Sequence, residues 1–164
     1  MLNGEESKRL ALEAKANILI WLAIVGSLFL YLAVGYFLIA SREDPYVEGV
    51  GAMGMVLGAL SVVSIAAALV FRNVVLALKT DTPLTTDKTE IVPRAFARYR
   101  QRLILSLALA ETVGIYGLVM AIIAGDLFWG GSLIAVGIVF QVLFRPSANV
   151  LEEYAVAQKK LAGS

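Results

Sequence analysis

Four apolar runs, each long enough to cross a lipid bilayer, limit what this chain can fold into more than any other feature. They occupy about residues 17–40, 49–71, 103–124 and 127–144. A membrane span needs about 20 consecutive, mostly apolar residues. Inside lipid the backbone must satisfy its own hydrogen bonds, so a single apolar run of this length has to be a helix. The expected fold is therefore all-α: an integral membrane four-helix bundle forming a single domain over residues 1–164. Composition agrees, with 59% hydrophobic residues, 16% charged residues and a mean hydropathy of +0.80. An average globular domain has nearer 25% charged residues.

Short amphipathic helices are expected at both ends. Asn3 followed by Glu6 fits a capping box, in which each residue satisfies the other's backbone N–H at a helix start. Residues 1–16 are then a polar, helix-prone lead-in to the first span, and no secretory signal is expected there. After the fourth span, Arg145 and Pro146 stop the helix. Ser147 can cap a last helix in which Leu151 and Tyr154 share a face, with Lys159 and Lys160 complementing its C-terminal dipole. Between spans, Pro45 marks the first turn and Gly125 with Asp126 the third. The second helix is expected to continue to about Lys79, before a loop around Pro83. Pro93 sits near the start of the helix that carries Arg94, Arg98, Arg100 and Arg102 to the membrane.

Basic residues set the orientation. Three lie in the N-terminal tail, seven in the cytoplasmic loop 72–102 and three after the fourth span, against Arg42 alone on the other side. Under the positive-inside rule, thirteen against one places both termini and the long loop in the cytoplasm. The expected location is the cell inner (plasma) membrane, multi-pass, with the bilayer as the first partner. The arginines read as a juxtamembrane collar rather than a nucleic-acid patch.

Excluded chemistry follows from what is missing. The chain has no cysteine and no histidine, so it lacks thiolate ligands and the commonest general base. No nucleophile is paired with a base, so no enzyme, catalytic residue, metal site or cofactor is expected. Asp81, Asp87 and Glu90 read as a solvated loop.

The helix over residues 105–122, LSLALAETVGIYGLVMAI, holds the one feature that asks for a function. Glu111 lies nine residues past Arg102, roughly 13 Å deeper at 1.5 Å per residue. A charged side chain at that depth costs roughly 2.5–3.5 kcal/mol on insertion scales. A carboxyl group there can bind and release a proton if it has a partner or a water path. Thr112 adds a hydroxyl beside it, and Tyr116 lies about 140° around the helix, a little over one turn deeper. Gly114 and Gly117 thin the helix between them. On the second span Gly51, Gly54, Gly58, Ser61 and Ala68 fall on one face. Gly54 and Gly58 form a GxxxG step that admits another backbone. The descent of this span puts Ser61 and Ser64 near the depth of Glu111 as candidate partners, and Gln141 of the fourth span is nearer the inner surface.

Residues 105–122 resemble the second helix of the c subunit, the proteolipid of rotary ATP synthase rotor rings. In that family an LxLAxxExxxIYGLVxAL-type helix carries the ion-binding carboxylate, which falls on Glu111. The resemblance implies assisting roles for Thr112 and Tyr116. A Gly-rich helix entering from outside and a cytoplasmic loop match the family's arrangement. The second span lacks the family's GxGxGxG run and a Gln for sodium, which points to a proton as the ion. Spans one and four have no counterpart in the two-helix subunit. Two readings stay open. One is a c-subunit-like protein whose Glu111 binds a proton, in ion translocation within a homo-oligomer or with other membrane-complex subunits. The other is a small four-helix scaffold, assembly or accessory protein in which Glu111 supports packing.

Overall fold

The computed structural model describes residues 2–41, 50–78, 84–85, 87, 89–125 and 127–163. The turn expected at Pro45, the loop at Pro83 and Asp126 lie outside them; the second helix, expected to reach about Lys79, stops at Val75, with Leu76 turning out of helical geometry. Among the described residues the fold is entirely helical. The helices are α1 (Gly4–Ala40), α2 (Val50–Val70), α3 (Ile91–Ala124), α4 (Leu127–Leu143) and α5 (Ala148–Leu161), with one π turn, Phe71–Val75, continuing α2.

Three of these, α1, α2 with its π turn, and α3, are long and apolar enough to cross a membrane. Helix α4 has 17 residues and passes that test only together with α5, from which it is bent by 47°. Pro146 explains the break, because it has no N–H to offer the preceding turn. The outward faces are those of a membrane protein. Leu19, Phe29, Leu30 and Phe37 on α1, and Met55, Val62 and Val63 on α2, are all exposed. An apolar surface that extensive is not kept in water.

The amphipathic lead-in is not a separate helix. Residues 4–40 form one 37-residue α1, because the junction, LALEAKANILI, holds no proline or glycine and consists largely of good helix formers. The capping box is present at its start: Glu6 N–H donates to Asn3 Oδ1 at 2.8 Å and Asn3 N–H to Glu6 Oε2 at 2.6 Å. At the other end, α5 is capped by Ser147, which accepts from Val150 N–H. It buries Leu151, Tyr154, Ala155 and Gln158. Helix α3 starts at Ile91, so Pro93 falls in the first turn, where its missing N–H leaves no bond unmade. It ends at Gly125, whose φ of 62° is the left-handed cap that glycine supplies without strain.

Helix α3 is the hub, packed against α1, α2, α4 and α5. Three apolar clusters are strung along it. At its N-terminal end Val92, Ala95, Phe96 and Tyr99 meet Leu151, Tyr154 and Ala155 of α5. One level on, Leu103, Leu107 and Ala110 meet Ala68 of α2 and Phe144, with Trp21 and Ile24 of α1 against them. At the far end Met120 and Ala124 meet Leu57. Helices α2 and α4 therefore run antiparallel to α3.

The tightest crossing is between α3 and α4. A Cβ built on Gly130 would lie 2.5 Å from the Gly117 carbonyl oxygen and 2.5 Å from Ala121 Cβ. One built on Gly137 would lie 3.2 Å from the Ala110 carbonyl oxygen. Residues 110, 114, 117 and 121 of α3 thus face residues 130, 134 and 137 of α4, a small-residue seam that lets the two backbones touch. The glycine step on α2 behaves differently. Gly54 meets the end of the Met120 side chain, whereas Gly51 and Gly58 face open space. Of the three packing glycines expected there, Gly54 is the one that meets a described residue.

Candidate functional site

Glu111 is half-buried on the face of α3 that turns toward α1. Two hydroxyl groups of α1 reach it: Ser27 Oγ is 2.6 Å and Tyr31 Oη 3.0 Å from the same oxygen, Oε1. Ser27 and Tyr31 are four residues apart, hence on one face of α1 and one turn from each other. Leu28 between them is fully buried and fills the space left by the missing side chain of Gly114. Tyr31 also packs over Gly114. The glycine beside the carboxylate thus brings α1 close enough for its hydroxyls to bond.

Ser27 has a second neighbour. Its Oγ is 2.7 Å from the Ile24 carbonyl oxygen on its own helix. A serine hydroxyl carries one proton, and a carbonyl can only accept. If Ser27 donates to Ile24, the 2.6 Å contact with Glu111 requires the proton on the carboxyl, which then donates to Ser27. If Glu111 is ionised, Ser27 turns its proton to the carboxylate and Tyr31 adds a second donation. Rotation of one hydroxyl therefore fits the same frame to either protonation state.

The side chains expected around Glu111 lie elsewhere. Thr112 Oγ1 donates to the Ala108 carbonyl one turn back on α3. Tyr116 points away from α1 and packs with Leu57 and Met120 beside α2, as its 140° offset from Glu111 dictates. Ser61 donates to the Leu57 carbonyl at 2.8 Å. Ser64 is buried, and no hydrogen bond joins either serine to the carboxylate. Helix α2 packs on a different side of α3, the one that carries Tyr116 and Met120. The signal for the actual partners was a pair of polar side chains four residues apart in an otherwise apolar run.

A second polar group lies between this site and the N-terminal end of α3. Gln141 of α4 is fully buried, and neither of its amide atoms has a hydrogen-bond partner among the described residues. It sits one turn beyond Gly137, which packs against Ala110 and Gly114, on the side away from Gly130. Its main-chain carbonyl, in the last turn of α4 where intrahelical donors run out, accepts from Trp21 Nε1 at 2.8 Å. Asn17, one turn before Trp21 on α1, is also buried, and its Oδ1 is unpartnered. Polar side chains thus mark the way from Glu111 toward the basic end of the molecule.

No protein-family model, curated protein or solved structure matches this chain.

Proposed function

We propose that this is a multi-pass membrane protein that binds and releases a proton at Glu111, with both termini and the 72–102 loop in the cytoplasm. What carries it is the proton count at Ser27. One hydroxyl, held between the Ile24 carbonyl and Glu111 Oε1, can accept from the neutral acid or donate to the anion. Tyr31 fixes the carboxyl group in place in either state. The buried, unpartnered amide of Gln141 offers a polar step toward the cytoplasm, where hydrogen-bonded water would be stable. On this reading α4 is the fourth span, α5 lies beyond it on the cytoplasmic side, and the location is the inner (plasma) membrane. The proteolipid-like pattern around Glu111 suggests a role in ion translocation within an oligomer, with Ser27 and Tyr31 in the assisting role that the family pattern would give to Thr112 and Tyr116.

The same two hydrogen bonds favour a second reading, in which Glu111 is polar glue between α1 and α3 in a scaffold or accessory protein. Carbodiimide labelling separates the two. A proton site predicts pH-dependent covalent modification of Glu111 in membranes, identified by peptide mass spectrometry. An unreactive Glu111 at every pH, in protein that remains folded, would leave only the packing role.

A further inference from the structure

Three arginines converge where the apolar helices end. Arg72 follows Phe71 at the foot of α2, Arg102 precedes Leu103 on α3, and Arg145 follows Phe144 after α4. Together with Tyr99, Ser147 and Val150 they line one cleft of about 50 Å³. By the measure in which one water needs roughly 10–15 Å³, that is room for a few waters or one phosphate-sized group.

Three neighbouring basic residues are already held by carboxylates. Arg94 pairs with Glu90, Arg100 with Glu13 and Lys159 with Glu6. Arg72, Arg102 and Arg145 make no ion pair among the described residues. Arg72 lies 4.7 Å from the centre of the Phe144 ring and Arg145 lies 5.9 Å from that of Trp21. The Nε of Arg102 is buried without a partner. The first turn of α5 adds its positive dipole end at Ser147 and Val150. Three guanidinium groups and a helix N-terminus around one small cleft need an anion. Guanidinium forks match phosphate oxygens in geometry as well as charge.

We propose that this cleft binds the phosphodiester headgroup of an anionic membrane lipid. Its position selects lipid over a soluble phosphate. It opens at the level where α2, α3 and α4 pass from apolar to basic sequence, which is headgroup depth. Leu103, Phe144 and Val150 on its wall are apolar surface against which the first acyl carbons can lie. Bound there, one lipid would tie the foot of α2 and the end of α4 to the basic stretch of α3 and the start of α5. The inference does not depend on the role of Glu111.

Trp21, beneath Arg145, is the built-in probe. The full chain carrying Trp129→Phe, which removes the tryptophan at the far end, is purified in maltoside micelles and titrated with phosphatidylglycerol, phosphatidylcholine or inorganic phosphate. The expected result is a saturable change in Trp21 emission with phosphatidylglycerol, half-saturating at least about tenfold lower than any response to phosphatidylcholine. Arg72→Gln/Arg102→Gln/Arg145→Gln should abolish it, and Arg145→Gln alone, at an exposed position, should weaken it if the triple variant does not fold. Lys8→Gln/Arg94→Gln/Lys160→Gln, an equal loss of charge outside the cleft, should leave it unchanged. Equal responses to the two lipids, a response that survives in the folded triple variant, or an undiminished response in Arg145→Gln, would overturn the proposal. So would millimolar inorganic phosphate reproducing the change, which would make the cleft a free-phosphate site.

Discussion

Replacing Gly130 by Ala should loosen the whole bundle, because it acts at the point where the α3 and α4 backbones touch. The new Cβ would sit 2.5 Å from the Gly117 carbonyl oxygen and 2.6 Å from the Ala121 nitrogen, where ordinary contact begins at 3.4 Å. The atoms in the way are main chain and the Cβ of Ala121, so no rotamer change relieves the clash. The helices must part by close to 1 Å, and a gap of that size forfeits about a quarter to a half of each dispersion contact along the seam. Overpacking of this kind costs about 1–3 kcal/mol, and a backbone clash belongs near the top of that range. Alanine returns up to about 1 kcal/mol through its better helix propensity. The net expectation is a loss of about 2 kcal/mol, roughly a thirtyfold shift in the folded-to-unfolded ratio. Reversible unfolding in mixed micelles, titrated with sodium dodecyl sulfate and followed by circular dichroism, measures it. Gly58→Ala is the internal control, since a Cβ there meets nothing within 4 Å, and it should be neutral or slightly stabilising. A Gly130→Ala protein within about 0.5 kcal/mol of its parent, the spread expected of harmless substitutions, would refute the reasoning. So would a Gly58→Ala protein destabilised to the same degree.

Other outcomes follow from the site and the ends of the chain. Tyr31→Phe removes one of the two hydroxyl groups on Glu111 Oε1, so carbodiimide labelling of Glu111 should change from that of the parent; unchanged labelling would show that Tyr31 does not act on the carboxyl group. Ser27→Ala removes the hydroxyl that serves both protonation states, leaving only Tyr31 on Oε1, and should also change the labelling curve; its coincidence with the parent would discard the proton count. Glu6 is held below its ordinary carboxylic range by its hydrogen bond from Lys159 and by the backbone N–H of Asn3. Its contribution is present above the unfolded-state value and is lost as pH falls through the folded one, so the α1–α5 contact should weaken only in acid, well below neutral pH. Hydrogen exchange at residues 4–10 and 155–161, compared between neutral and acidic pH, measures this. Lys159→Gln should raise exchange there at neutral pH and flatten the acid dependence.

Much of the architecture was legible because hydrophobic length is a one-dimensional property. The apolar runs, the capping box at Asn3 and Glu6, the stop at Pro146 and the glycine cap at Gly125 each depend on residues near one another in the chain. Lipid solvation and backbone hydrogen bonding act on such segments directly. The same is true of Glu111 as the residue to watch, since the cost of a carboxylate in an apolar helix does not depend on its neighbours being known. Where the chain failed to signal its structure, the cause was also local. The lead-in fused with the first span because nothing between them breaks a helix.

What only the tertiary structure decided was which faces meet. A sequence gives the angle of Tyr116 from Glu111 about α3, but not which neighbour each faces. With α1 on the Glu111 side and α2 on the Tyr116 side, Ser27 and Tyr31 became the partners, while Ser61 turned to its own backbone. That choice follows from shape: the small residues at 110, 114 and 117 admit the α4 backbone along one edge and Leu28 along another, and close packing leaves α2 the remaining side. The three arginines of the basal cleft are likewise separated by about 30 and 43 residues in the chain, and they converge only because the apolar stretches of three helices stop at one level. Periodicity fixed what α3 presents on each side, and packing among small residues decided who receives it.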